Sequence, residues 1–156
     1  RGTGKESLMA ITQAMATSFK VELLKGIHDF TNTTGDSFKL ALFRAQASIV
    51  GTFGAGTTNY SDMGADEASG TNYSAGGSAL TNVTPTSSGT TAFCDFADLV
   101  FTNVTITTSG ALIYNDTEAD KAVAVFSFGG DKTATAGDMT MIFPTADAAN
   151  AIIRLV

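Results

Sequence analysis

The chain has 156 residues, a length that fits one domain and buries a core without disulfide or metal staples. Its net charge is −6, and the nine basic residues are scattered from Arg1 to Arg154, which argues against a nucleic-acid partner, since counterion release needs clustered cations. The single cysteine, Cys94, rules out an intrachain disulfide, and no apolar run approaches the ~20 residues of a membrane-spanning helix.

Charged residues make up only 15% of the chain, with hydroxyl side chains in their place: Ser and Thr supply almost a quarter of all residues. Threonine favours pleated, half-buried strands, while Gly, Ser, Asn and Asp favour turns, so this exchange predicts a mainly β protein. Residues 1–10 read as an N-terminal arm or scar and 11–156 as one β-rich domain. The opening residues lack the apolar stretch of a signal peptide, and Met9-Ala10 reads as a start, with proteolytic maturation of a longer precursor as the alternative.

Ile11, Met15, Phe19, Leu23 and Ile27 recur every four residues, which predicts an amphipathic helix at about 11–27, stopped near Gly26. Thr17 or Ser18 could cap a shorter version. The helix is expected to cover a sheet face, or to dock on a partner shell through Met15 and Phe19. Period two then sets in: Phe38, Leu40 and Leu42 point one way, Lys39, Ala41 and Phe43 the other, which is a strand.

Residues 51–79 are rich in small and polar residues and punctuated by Phe53, Tyr60, Met63 and Tyr73. They read as a long exposed excursion with a short strand near Tyr73 and another around 79–83, and those four side chains are expected to meet a partner. Pro85 to Gly89 is a turn cluster. Short strands are expected at 91–97, 99–107, 110–114 and 122–128, the last apolar on both faces and hence the candidate centre of the sheet. Gly129-Gly130-Asp131 reads as a turn, Met139, Met141 and Phe143 alternate up to Pro144, and 151–156 is a closing strand. About eight strands and one N-terminal helix amount to a single-domain antiparallel β-sandwich or jelly roll.

Chemistry is sparsely provided. The only histidine, His28, follows the predicted helix and reads as a residue interacting with the helix dipole. Cys94 lies in the apolar context Phe93-Cys94-Asp95-Phe96, which keeps a thiol protonated. Asp62, Asp66 and Glu67, and then Asp116, Glu118 and Asp120, could at most face a hard cation, and solvated acidic turns are the preferred reading. Gly2-Thr3-Gly4-Lys5 is followed by Glu6 where a phosphate loop needs Ser or Thr. No catalytic, cofactor-binding or metal residue is assigned, and the protein is expected not to be an enzyme. Six asparagines, Asn32, Asn59, Asn72, Asn82, Asn103 and Asn115, precede x-Ser/Thr and read as turn residues beside Thr-rich strands.

Several segments carry a family resemblance: Met9 to Gly26 (MAITQAMATSFKVELLKG), Asp36 to Phe43 (DSFKLALF), Gly70 to Leu80 (GTNYSAGGSAL), Gly110 to Asn115 (GALIYN), and above all the block from Val123 to Val156 that contains FGGDKTATAGDMTMIFPTADAANAIIRLV. In these the chain resembles small virion structural proteins of tailed bacteriophages. The resemblance implies a β-rich particle component made in the host cytoplasm and present in many copies. A decoration or cement protein on the major capsid protein is the first expectation, and a tail- or fibre-associated adhesion module is the alternative. A carbohydrate-binding sandwich using Tyr60, Tyr73, Asp62 and Asp66 is a third. A homo-oligomer is expected, with a trimer as the first guess, and neither nucleic acid nor membrane as a partner.

Overall fold

The computed structural model describes residues 11–44 and 53–156. In chain order these form β1 (Ala14–Met15), α1 (Thr17–Leu24), β2 (Phe38–Phe43), a 3-10 segment (Tyr60–Asp66), β3 (Ser78–Ala79), β4 (Asn82–Ser88), β5 (Thr91–Phe96), β6 (Leu99–Asn115), β7 (Lys121–Met141) and β8 (Ile153–Leu155). One antiparallel sheet has the order β1-β7-β6-β2-β3 and the other the order β4-β5-β8. The expected mainly β, sandwich-like domain is what the chain forms.

The large sheet is organised by one hairpin. β6 and β7 pair from Asn115↔Lys121 to Leu99↔Met141, and β2 adds to the other side of β6 over Phe38↔Asn115 to Phe43↔Gly110. Two of the separate strands expected, 99–107 and 110–114, are therefore one, since β6 runs unbroken through Ser109-Gly110. The expected turn at Gly129-Gly130-Asp131 is likewise absorbed into β7. Gly110 pairs with Ser127 and Thr108 with Lys132, so residues 128–131 stand opposite Ser109 alone as a bulge. Gly129 and Gly130 supply the positive φ that such a bulge uses, and Asp131 at its tip binds Arg44 just past β2. The same continuity moves the centre of the sheet. β6, not residues 122–128 of β7, is the middle strand, and its residues from Gly110 to Asn115 are buried on both faces.

The helix is shorter than its periodicity suggests, Thr17–Leu24 rather than about 11–27. Upstream of it, Ala14 and Met15 pair with Val125 and Ala124, and Ala16 donates to the Val123 carbonyl. Backbone partners offered by the edge of β7 outweigh a helical turn that would pack only by side chains. Neither Thr17 nor Ser18 caps α1; Ala16 occupies the cap without a side-chain bond, whereas Gly26, at φ 68°, ends the helix as expected. Pro85 lies inside β4, at the register shift between Val83 and Thr86, where no ladder donor is required, and the turn falls at Gly89 (φ 58°).

The two faces of the large sheet are covered differently. On the face shared by Phe38, Leu40 and Leu42, Phe38 stacks on Phe30 at 4.4 Å and tilts against Phe96 of β5 at 5.6 Å, which joins the two sheets. On the opposite face Tyr60 stacks on Tyr114 at 4.7 Å, and Phe53 lies 4.7 Å from Phe43. The segment expected as an exposed excursion is therefore a second cover over the sheet. No strand forms at Tyr73; a lone bridge, Thr71↔Thr105, takes its place.

Candidate functional site

Two surfaces and two polar clusters carry the side chains from which a function could be built. Phe19 is the one fully buried side chain of α1, while Val21 and Leu24 are exposed, Leu24 to 91%. The second surface is an apolar groove of about 640 Å³. It runs along β7 and the segment after it, and Phe126, Phe128, Met139, Met141, Phe143 and Ile152 form much of its lining. Leu40 and Ala111 lie at its sheet side, and Gln13, Ser127, Lys132 and Thr140 provide its polar groups.

Behind the opposite face, Glu67 is the hub of the 53–77 cover. Its carboxylate accepts the Tyr60 hydroxyl on one oxygen, and the Tyr73 hydroxyl at 3.0 Å and the Gly76 N–H at 2.7 Å on the other. The Tyr73 oxygen in turn accepts the Leu42 N–H at 2.8 Å, and the Tyr114 hydroxyl donates to the Gly76 carbonyl at 2.7 Å. Gly77 has φ 72°, and a Cβ there would stand 1.9 Å from the Leu40 carbonyl oxygen, so this crossing admits only glycine. Burial, and after it the hydrogen bond to Glu67 and that carboxylate's charge, pushes the Tyr60 hydroxyl up to about 12. Tyr73 and Tyr114 are also raised, with burial the main cause in both.

The second cluster surrounds His28, whose side chain is fully buried among the rings of Phe19, Phe30 and Phe38. Asn115 Nδ2 donates to His28 Nδ1 at 2.9 Å and to Asp36 Oδ2 at 2.8 Å. An accepting Nδ1 leaves the proton on Nε2, which donates to Glu22 Oε2 at 2.9 Å. His28 is thus a cross-link between helix, loop and sheet, in place of the expected interaction with the helix dipole. Both ring nitrogens are committed, so neither faces a substrate. Asn115 also caps the β6–β7 connection, accepting from Thr117 and Glu118 N–H at 3.1 Å.

The expected contact residues divide. Phe19, Phe53 and Met63 are core side chains at 0%, 3% and 1% exposure, and present no surface to a partner. Tyr60 and Tyr73 are half-buried with their hydroxyls on Glu67, and Met15 lies half-buried in β1. Apolar spacing marked these residues, but it does not distinguish an inward from an outward anchor. Nor do Tyr60, Tyr73, Asp62 and Asp66 make the open platform expected of a sugar site: Asp66 is buried, and Asp62 accepts backbone N–H groups of Thr58 and Asn59 to cap the 3-10 segment. Asp116 pairs with Lys39 at 2.8 Å, and Ala119 and Asp120 take positive φ in the tight connection. Among the described residues no group of three His, Cys, Asp or Glu side chains could hold a metal ion. Burial, with the neighbouring Asp95 charge second, pushes the Cys94 thiol up to about 12.

Sequence reading missed Glu67 as a hub and Lys132 on the groove. The alternation of Met139, Met141 and Phe143 was the available signal for the groove wall. Of the sequon asparagines expected in turns, Asn72 has positive φ in a turn and Asn59 is a cap, whereas Asn103 takes its positive φ at a register shift inside β6, and Asn82 and Asn115 are buried.

These features define the class only as a mainly β, sandwich-like domain with exposed apolar surface. No family model, curated protein or solved structure matches the chain. Among the described residues, no helix is long and apolar enough to cross a membrane.

Proposed function

We propose that this chain is a structural protein of a tailed-phage virion, acting by contact, without a catalytic step, as a decoration or cement protein on the major capsid lattice. The observation that supports this reading is the outward apolar face of α1. α1 packs on its own sheet through Phe19 and Leu23 and turns Val21 and Leu24 outward, Leu24 being almost wholly exposed. The acidic, hydroxyl-rich composition suits a surface displayed in many copies.

In this reading α1 seats on the assembled shell and the protein binds the closed lattice in preference to free subunits. Any ligand that prefers one state stabilises it by that preference, so the decorated head resists heat and denaturant better than the bare one. The protein is made in the host cytoplasm, joins the particle as a homo-oligomer, for which a trimer is the working arrangement, and binds neither nucleic acid nor membrane.

Cryo-electron microscopy of the particle tests the proposal by locating the chain. Density on the head at lattice multiplicity is the expected result, and a few copies at the tail indicate the adhesion module instead. Leu24→Asp is expected to abolish co-sedimentation with heads while leaving the fold intact, because the position is exposed. Undiminished binding of that variant, or absence of the chain from purified particles, overturns the proposal.

A further inference from the structure

We propose that the apolar groove beside β7 binds a free single-chain amphiphile with a carboxylate head, its tail lying on Phe126, Phe128, Met139 and Met141 and its head group meeting Lys132. The groove's volume, about 640 Å³, falls within the range of roughly 300–1,000 Å³ typical of small-molecule sites. Three phenylalanines and two methionines, Phe126, Phe128, Phe143, Met139 and Met141, stand in its wall beside Ile142 and Ile152. Unbranched, polarisable methionine side chains adapt to a flexible chain better than β-branched ones do.

Charge selects the head group. The protein carries 15 acidic residues against nine Lys and Arg, yet the groove lining holds Lys132 and no acid. The nearest carboxylates along the chain are engaged elsewhere: Asp131 binds Arg44, and Asp138 accepts the Asn103 N–H at 2.8 Å. Among the described residues Lys132 has no ion-pair partner. An apolar trough with one unpaired cation and no anion complements a molecule with an apolar tail and one negative charge. This site is separate from the exposed face of α1, so it stands whether or not the chain binds a shell.

The test is calorimetric titration of the full chain with decanoate below its micelle concentration, beside decyltrimethylammonium, which has the same tail and the opposite charge. Saturable one-to-one binding of decanoate is expected, with the cation weaker by on the order of ten-fold, the scale of losing one exposed ion pair and gaining a repulsion. Lys132→Glu, at an exposed position, is expected to reverse that preference, and Ile142→Ser, on the exposed wall, to weaken both ligands. Equal binding of the two amphiphiles, unsaturable uptake, or decanoate affinity unchanged by Lys132→Glu overturns the proposal. So does binding to phosphatidylglycerol vesicles without binding of free decanoate.

Discussion

Replacing Glu67 by alanine deletes the acceptor shared by two tyrosine hydroxyls and the Gly76 amide. Hydrogen bonds to a charged acceptor contribute about 1.5–3 kcal/mol each when buried, but Glu67 is half-buried and the freed phenols can take up water. Counting about 1 kcal/mol for each of the three gives a loss near 3 kcal/mol, or a fall in Tm of roughly 6–12 °C for a domain of this size. Glu67→Gln keeps the shape and one acceptor oxygen but turns an amide donor toward a donor, so about half that loss is expected. The readout is unusually clean, because the chain has no tryptophan and its three tyrosines, Tyr60, Tyr73 and Tyr114, all lie in this cluster. Urea unfolding followed by tyrosine fluorescence therefore reports the cover directly. If Glu67→Ala unfolds at the wild-type midpoint with an unchanged tyrosine signal, the cover does not depend on this carboxylate and the reasoning fails.

The same tyrosines predict an alkaline transition. Their hydroxyls are raised above the ordinary value of 10, so the fold favours the neutral form; that contribution is complete below pH 10 and is lost as pH rises through the folded value, about 12 for Tyr60. Tyrosinate absorbance is expected to stay low in the folded protein just above pH 10 and to appear at once on adding denaturant; an ordinary titration centred at pH 10 contradicts the buried cluster. Gly77→Ala forces a Cβ against the Leu40 carbonyl at a positive φ, and a loss of about 3 kcal/mol or more is expected by chemical denaturation. A loss under about 1 kcal/mol shows that β3 moves away freely. Cys94, buried and raised to about 12, is expected to resist iodoacetamide at neutral pH until the protein is unfolded. Rapid native labelling refutes the burial of β5.

Which elements were legible follows from where their determinants lie. β2 was readable because alternation of side chains over six residues is a local property that the sheet then rewards, and β5 because turn residues bracket it on both sides. The join across Ser109-Gly110 was not, because glycine there answers to a neighbour distant in sequence: the Phe43 ring occupies the space a Cβ would take, 2.7 Å away. Gly129-Gly130 carries the same chemistry in a bulge as in a turn, and only the continuity of β6 decides between them. The 53–77 cover was misread because its apolar residues are few; what seats it is a carboxylate and two phenols, which in sequence resemble a solvated loop. The groove was half legible, as a methionine and phenylalanine alternation that becomes a groove wall only through the path of the chain after Met141.

The placement of the long hairpin has a consequence for biosynthesis. Helix α1, β2 and the 53–77 cover all dock on β6 and β7, yet every one of them precedes those strands in the chain. While the ribosome is still upstream of residue 141, these earlier segments have no complete platform to settle on, and their phenylalanines depend on chaperones or transient clusters for shelter. The hairpin itself is joined by only residues 116–120, so once synthesised it closes with little loop entropy and presents both faces together. Assembly should therefore run against the direction of translation, with the last-made half as the template for the first.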